Sequence, residues 1–320
     1  MFFSRNIGDP GSPIFQWFNT HWQQVGITSY GIDCTQFTKI GIYTRLIEYN
    51  GWIESIINRC SIPSSTSPMP VTTTPIDVVT TTIPVSTTMK PVKPPEVYQC
   101  DQTSTCGCGS VPVVLSPARI IGGEKVLEYS WPMMVSLRLP VETNHWCGGT
   151  ILSESYILTA AHCLAAYVRN PPEGLSISVG MTNLSDTKQI RRIVDDIYIH
   201  PDYVDGDYYT HHDIAVVHID PPLVMGNNLF ATKTCIHPLS PMISHEQYIK
   251  NGTPLTVIGW GYMNSIGTVR TTVLQQVQVY AIDNDDPICQ GTVINSQVQF
   301  CAGLHEGGKG LIMEIFIFHI

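Results

Sequence analysis

Short apolar runs, separated by turn-forming residues, dominate the chain from residue 120 to residue 310. The runs are rich in Val, Ile and Thr, and the breaks between them hold Gly, Pro or Asn. This pattern is typical of an all-β sandwich or barrel. Helical signals are few, and they predict only two short helices here, near 160–166 and 283–291. The clearest predicted strands are Met133–Leu137, Leu175–Val179, Ile214–Ile219, Leu255–Ile258 and Val273–Val279.

Residues 8–58 carry a smaller version of the same pattern. Predicted strands cover Ile14–Trp17, Gln24–Thr28 and Gly41–Arg45, and apolar positions at helical spacing predict a helix near 46–57. A segment this short cannot bury an adequate core of its own. We therefore expect it to need a folding partner.

Residues 61–99, between these two regions, consist mainly of Thr, Pro and Ser. Such a stretch offers too little apolar surface to offset the entropy of ordering it. We expect a disordered, O-glycosylated linker.

The last ten residues, 311–320, form an apolar tail that Glu314 interrupts. No apolar run in the chain is long enough to cross a membrane.

Amino-acid composition indicates the compartment of the protein and argues against one class of partner. Charged residues make up 13% of the 320 residues, the net charge is −9, and there is no Lys/Arg cluster, so nucleic acid is not an expected partner. Ten cysteines indicate an oxidising, secretory compartment. The first residues nevertheless lack the apolar core of a signal peptide, so we expect the true N-terminus to be missing.

The cysteine spacing suggests disulfides rather than metal ligands. Cys147 with Cys163, and Cys289 with Cys301, have the spacing of disulfide staples. The pair in Cys106-Gly-Cys108 is an alternative metal site, but no second ligand pair lies near it in the sequence. We expect neither a metal nor a cofactor.

Two motifs carry the chemistry of the larger region. Cys147-Gly-Gly is followed by Ser155-Tyr-Ile-Leu-Thr-Ala-Ala-His-Cys163, and later by His212-Asp-Ile-Ala-Val-Val217. Together they resemble the histidine and aspartate motifs of the trypsin- and chymotrypsin-like (S1) serine proteases. The resemblance implies two antiparallel six-stranded Greek-key barrels, a secreted protein and a peptide or protein substrate. It also implies that His162 is the general base and that Asp213 orients it.

A further motif resembles the activation site of this family. Arg119-Ile-Ile-Gly-Gly123 implies a zymogen that an activating protease cuts after Arg119, with residues 100–119 as a propeptide-like segment. The new amine of Ile120 would then pair with a buried aspartate, which the resemblance assigns to Asp9. Cys235 would tether the propeptide through one of the cysteines upstream, which are Cys100, Cys106 and Cys108.

The family motifs stand in an unusual order. In the 120–310 region they run as far as Gly259-Trp-Gly261 and Phe300-Cys-Ala-Gly303 and then stop. The motifs that should follow, from the nucleophile to the closing helix, appear instead within residues 8–58. One explanation is a piece of a tandem protease, with the end of one domain ahead of the start of the next. The other is a circular permutant in which 8–58 completes the second barrel.

The nucleophile motif itself is altered. Gly8-Asp-Pro-Gly-Ser-Pro13 stands where the family has Gly-Asp-Ser-Gly-Gly-Pro, so the nucleophile position is Pro10. Proline has neither a hydroxyl nor a backbone N–H. The change removes the nucleophile and one of two oxyanion donors, the other being the N–H of Gly8. Ser12 is a weak substitute, because it lies up to about 7 Å further along the backbone.

The sequence therefore predicts a serine endopeptidase by family, with little or no activity in this chain. Two alternatives stay open. The chain is either a non-catalytic pseudoprotease that binds a partner through its cleft, or the product of an incomplete gene model.

Overall fold

The structure is a computed structural model, and it describes residues 9–31, 40–58, 94–116, 123–140, 145–168, 173–206, 210–226, 230–236, 248–261 and 271–303. Several residues named above lie outside these ranges: Gly8, Cys34, Cys60, Arg119, Ile120, linker residues 61–93 and the tail 311–320.

Most of the regular secondary structure in the described residues is β-strand. In chain order the strands are β1 (Pro13–Phe18), β2 (His21–Gly31), β3 (Ile40–Arg45), β4 (Glu96–Tyr98), β5 (Val113–Leu115), β6 (Glu124–Lys125), β7 (Met134–Arg138), β8 (His145–Ile151), β9 (Tyr156–Thr159), β10 (Ser176–Val179), β11 (Ile190–Ile199), β12 (Ala215–Asp220), β13 (Cys235–Ile236), β14 (Pro254–Gly259), β15 (Gln275–Ile282) and β16 (Gln299–Gly303).

Six of these strands close the first barrel, in the order β10-β11-β12-β9-β8-β7. Every neighbouring pair is antiparallel. Its interior is filled by side chains that are fully buried, among them Leu137, Ile157 and Val216. The predicted strands of this region therefore form one continuous core.

The second barrel joins the two ends of the chain. Strands β1, β2 and β3 from the N-terminal segment form one half of it, and β14, β15 and β16 form the other half. The halves pair at β1–β14 and β3–β16, which gives the closed order β1-β14-β15-β16-β3-β2. Its core contains Ile14, Val25 and Tyr43 from the first segment and Val277 and Phe300 from the second. The expected all-β, two-barrel fold is confirmed, with the second barrel completed by the N-terminal segment.

The predicted helix near 46–57 is confirmed. It begins as a 3-10 turn at Leu46–Tyr49 and continues as the α-helix α1 (Asn50–Ile57), which buries Ile53 and Ile56.

No helix in the described part of the chain combines the length and the apolar character needed to cross a membrane.

The two other predicted helices were wrong. Residues 160–166 contain turns and only the start of a short 3-10 helix, Ala165–Tyr167. Residues 283–291 form successive turns, because aspartate side chains there accept backbone N–H bonds that a helix would use otherwise. Pro287 within this stretch further disfavours a helix.

Four disulfides lie within the described residues: Cys100–Cys108, Cys106–Cys235, Cys147–Cys163 and Cys289–Cys301. Both cysteines of the Cys106-Gly-Cys108 motif are therefore in disulfides, which leaves neither thiolate for a metal. The Cys106–Cys235 bond ties the propeptide-like segment to the body of the protein.

Candidate active site

The ends of two neighbouring strands place a histidine and an aspartate side by side. β9 ends at Thr159, which pairs with Ala215 at the start of the antiparallel strand β12. His162 follows the end of β9 and Asp213 precedes β12, so both lie at one edge of the first barrel. His162 Nδ1 is 2.7 Å from Asp213 Oδ2, and the His162 backbone N–H donates to Asp213 Oδ1 at 2.9 Å. This contact holds the imidazole in one orientation, with Nε2 on the far side of the ring.

The N-terminal segment supplies further contacts to Asp213. The Ser29 hydroxyl donates to Asp213 Oδ2 at 2.5 Å, and the Thr44 hydroxyl donates to the Asp213 backbone carbonyl at 2.9 Å. Burial alone would raise the pKa of Asp213. The charge of His162 and the hydrogen bonds from His162 and Ser29 outweigh it, so the pKa lies below that of an ordinary carboxyl. Asp213 is thus an anion whose position depends on both segments of the chain.

A disulfide and a hydrogen bond from β8 also hold the backbone next to His162. The Cys147–Cys163 disulfide links β8 to the residue after His162. The Trp146 indole N–H donates to the Cys163 carbonyl at 3.1 Å. The imidazole side chain itself keeps 19% exposure, while Asp213 is fully buried. The histidine is therefore held firmly and still faces solvent.

Residues 9–12, which belong to the motif that resembles the family's nucleophile motif, form a tight turn against the first barrel. The Ser12 N–H donates to the Asp9 carbonyl at 3.0 Å, and the Gly148 N–H of β8 donates to the Pro10 carbonyl at 2.8 Å. Gly11 has φ of 77°, and a Cβ there would lie 2.5 Å from the Gly148 carbonyl and 3.2 Å from the Ala160 nitrogen. Only glycine fits this close approach, which brings Pro10 to the strand end that leads to His162.

Ser12, the weaker candidate nucleophile, is directed into the interior. Its side chain is 1% exposed, and its hydroxyl lies against the backbone of Gly148. Among the contacts of the described residues, none joins Ser12 to His162.

Asp9 is buried at the boundary between the two barrels. His145 Nε2 lies 2.6 Å from Asp9 Oδ1, the Trp260 backbone N–H donates to Asp9 Oδ2 at 2.7 Å, and the Ser136 hydroxyl contacts His145 Nδ1 at 2.9 Å. Burial would raise the pKa of Asp9, but the charge of His145 and the hydrogen bonds from His145 and Trp260 hold this pKa below the ordinary value. The partner that sequence predicts for Asp9, Ile120, lies outside the described residues.

We expect Asp9→Asn to lower the free energy of unfolding at pH 7 by about 3 kcal/mol, because it leaves a buried imidazole without its anion. The matched control is Asp195→Asn, since Asp195 pairs with His218 at the same 2.6 Å but is 47% exposed. The control should cost less than about 1 kcal/mol. Urea melts of both variants give the comparison, and equal costs would contradict it.

The Asp9 contribution also has a defined pH dependence. Because its folded pKa lies below 3.8, the stabilisation is present above pH 3.8 and is lost as the pH falls through the folded value. In Asp9→Asn this loss on acidification should be smaller.

Sequence reasoning missed several residues of the site, among them Ser29, His145 and Ser136. Ser29 lies in strand β2, next to the buried Ile27 and Thr28, and is 3% exposed. A polar residue at a buried strand position is a signal for a buried hydrogen bond. His145 gave no such signal, because its aspartate partner is 136 residues away in the chain.

Comparison with known proteins identifies the family. The family model named Trypsin matches residues 3–53 and 120–311, which include both segments of the second barrel. The chain belongs to the trypsin family of serine proteases.

Two curated relatives illustrate the range of the match. Coagulation factor IX of Cavia porcellus is 32% identical over 200 residues, which cover 60% of this chain and 63% of that protein. Transmembrane protease serine 9 of Rattus norvegicus is 25% identical over 312 residues, which cover 94% of this chain and 28% of that protein. The chain thus spans less than two thirds of either relative.

Proposed function

We propose that this chain carries the site of a serine endopeptidase in which the acyl-transfer step is blocked at residue 10. The supporting observation is the contact between His162 and the buried, anionic Asp213, next to the turn that contains Pro10. The motif resemblance assigns Pro10 to the nucleophile position. The substrate class is peptide or protein.

In this proposal each residue has a defined part in peptide hydrolysis. Asp213 accepts the Nδ1–H of His162 and so leaves the Nε2 lone pair to take a proton from a nucleophile. A serine at position 10 would donate that proton and attack the scissile carbonyl. Its own N–H and that of Gly8 would then stabilise the oxyanion. Pro10 has neither group, so attack does not occur and one oxyanion donor is absent.

The proposal includes activation and secretion. Cleavage after Arg119 by another protease would free the Ile120 amine, which would compete with His145 for the Asp9 carboxylate. The Cys106–Cys235 disulfide would keep the cut propeptide attached. Four disulfides support an oxidising, extracellular location.

A non-catalytic binding role is the second candidate, and Pro10 favours it. A cleft that keeps its fold but lacks a nucleophile can still hold a peptide. Capture of a peptide library by the folded, unreactive protein would support this role over a loss of all function.

Covalent labelling tests the proposed block. The protein is cut after Arg119 and treated with a fluorophosphonate, which reacts with an activated serine next to a working base. We expect no labelled peptide, while a thermal melt shows that the protein is folded. Labelling at Ser12 or at any other serine would contradict the proposal.

A further inference from the structure

A cluster of two histidines and an aspartate includes His212, the residue before Asp213. One ligand atom from each of His200, Asp202 and His212 lies within 4.8 Å of the other two. We propose that these three residues form a binding site for a divalent transition-metal ion of the zinc class. Two imidazoles and one carboxylate are a ligand set that zinc accepts, with water in the fourth position.

Strand register brings the three residues together. Ile199, the last residue of β11, pairs with Ala215 of β12, so His200 and His212 meet just beyond the paired ends. A turn in which the Tyr203 N–H donates to the His200 carbonyl at 3.0 Å then returns Asp202 towards His200. The cluster therefore follows from backbone geometry and does not depend on long flexible side chains.

The spacing of the ligand atoms suits one small ion. The two imidazole rings are nearly parallel, with centroids 5.2 Å apart and planes at 9°. His200 Nδ1 lies 4.0 Å from Asp202 Oδ2, about twice a zinc–ligand bond of 2.0–2.2 Å. His200 Nδ1 also accepts the Asp202 backbone N–H at 3.2 Å, a bond that an ion on this nitrogen would replace. A tetrahedral ion separates its ligand atoms by about 3.4 Å, so small side-chain rotations close the site.

The helical region of the N-terminal segment orients both rings. The Tyr49 hydroxyl contacts His212 Nδ1 at 3.0 Å, and Tyr49 and Trp52 each pack edge-on against His200, with centroids 5.0 Å apart. When His212 donates its Nδ1–H to Tyr49, the Nε2 lone pair is directed to a metal. Such outer contacts fix ligand orientation and strengthen binding.

The site is reachable and lies next to the proposed catalytic pair. The Asp202 side chain is 71% exposed, so an ion can enter from solvent. His212 directly precedes Asp213 and has a left-handed backbone, with φ of 53°. A bound ion would link His200 and Asp202, which follow β11, to His212, which lies before β12.

Isothermal titration of the full chain with Zn²⁺ tests the proposal. We expect one saturable zinc ion that depends on this cluster. His212→Ala and Asp202→Asn should each weaken its binding by at least about tenfold, and Tyr49→Phe by about tenfold through loss of the orienting contact. His211→Ala is the matched control, since His211 neighbours His212 but is outside the cluster.

The binding results for these variants support or overturn the zinc site. A thermal melt first confirms that each variant is folded, and Asp202→Asn changes an exposed side chain, so it serves even if His212→Ala does not fold. Weaker binding in His212→Ala, Asp202→Asn and Tyr49→Phe, with His211→Ala unchanged, supports the site. No saturable binding by the unaltered chain, undiminished binding by Asp202→Asn, or an equal loss in His211→Ala would overturn it.

Discussion

Pro10→Ser, after cleavage at Arg119, is expected to turn an unreactive protein into one that a fluorophosphonate labels at residue 10. The base and its orienting acid are already in contact, and serine would restore the hydroxyl and the N–H that Pro10 lacks. Loss of a triad nucleophile lowers turnover by several orders of magnitude. Restoring it should therefore raise the labelling rate by at least about a thousandfold.

The turn should tolerate this substitution. Its contact with β8 uses the Pro10 carbonyl, which serine retains. Pro10→Ala is the matched control, because it restores the N–H without a hydroxyl, and it should remain unlabelled. Labelling of the alanine variant, or none of a folded serine variant, would contradict the roles proposed for His162 and residue 10.

Removal of residues 1–58 is expected to abolish cooperative unfolding. The segment provides three of the six strands of the second barrel. It buries Ile14, Phe15, Val25, Ile27 and Ile42 completely. At about 2 kcal/mol for each buried side chain, these five alone match the whole stability of an ordinary domain, about 5–15 kcal/mol.

Differential scanning calorimetry of the shortened chain measures this effect. The edges of β14 and β16 would be left unpaired, so aggregation is expected in place of a sharp transition. Deleting linker residues 71–80 from the full chain is the control and should change stability by less than about 1 kcal/mol. A sharp transition in the shortened chain would contradict the shared barrel.

Local sequence patterns predicted most of the fold. Apolar runs located strands such as β10 and β12, because alternation within a strand depends only on near neighbours. The helix α1 followed from helical spacing in the same way. The failed helix at 283–291 shows the limit, since aspartate side chains there compete with the backbone for hydrogen bonds.

Contacts between distant parts of the chain were harder to predict. His162 and Asp213 came from motif resemblance, whereas the contact between Ser29 and Asp213 joins residues 184 apart across the linker. The contact between Asp9 and His145 likewise joins residues 136 apart in the chain. Sequence left two explanations for the N-terminal segment, and only the three-dimensional arrangement joins β1 to β14.

The central claim is that residues 9–58 and 123–303 form one double-barrel body. None of the disulfides among the described residues crosses between these two parts. A specific protease site inserted at residue 80 would let the linker be cut in the folded protein. Size-exclusion chromatography under native, non-reducing conditions, with a non-reducing gel to exclude a covalent link, should show the two pieces eluting together and separating only in denaturant. Pieces that separate in native buffer while the larger one stays folded would contradict the account.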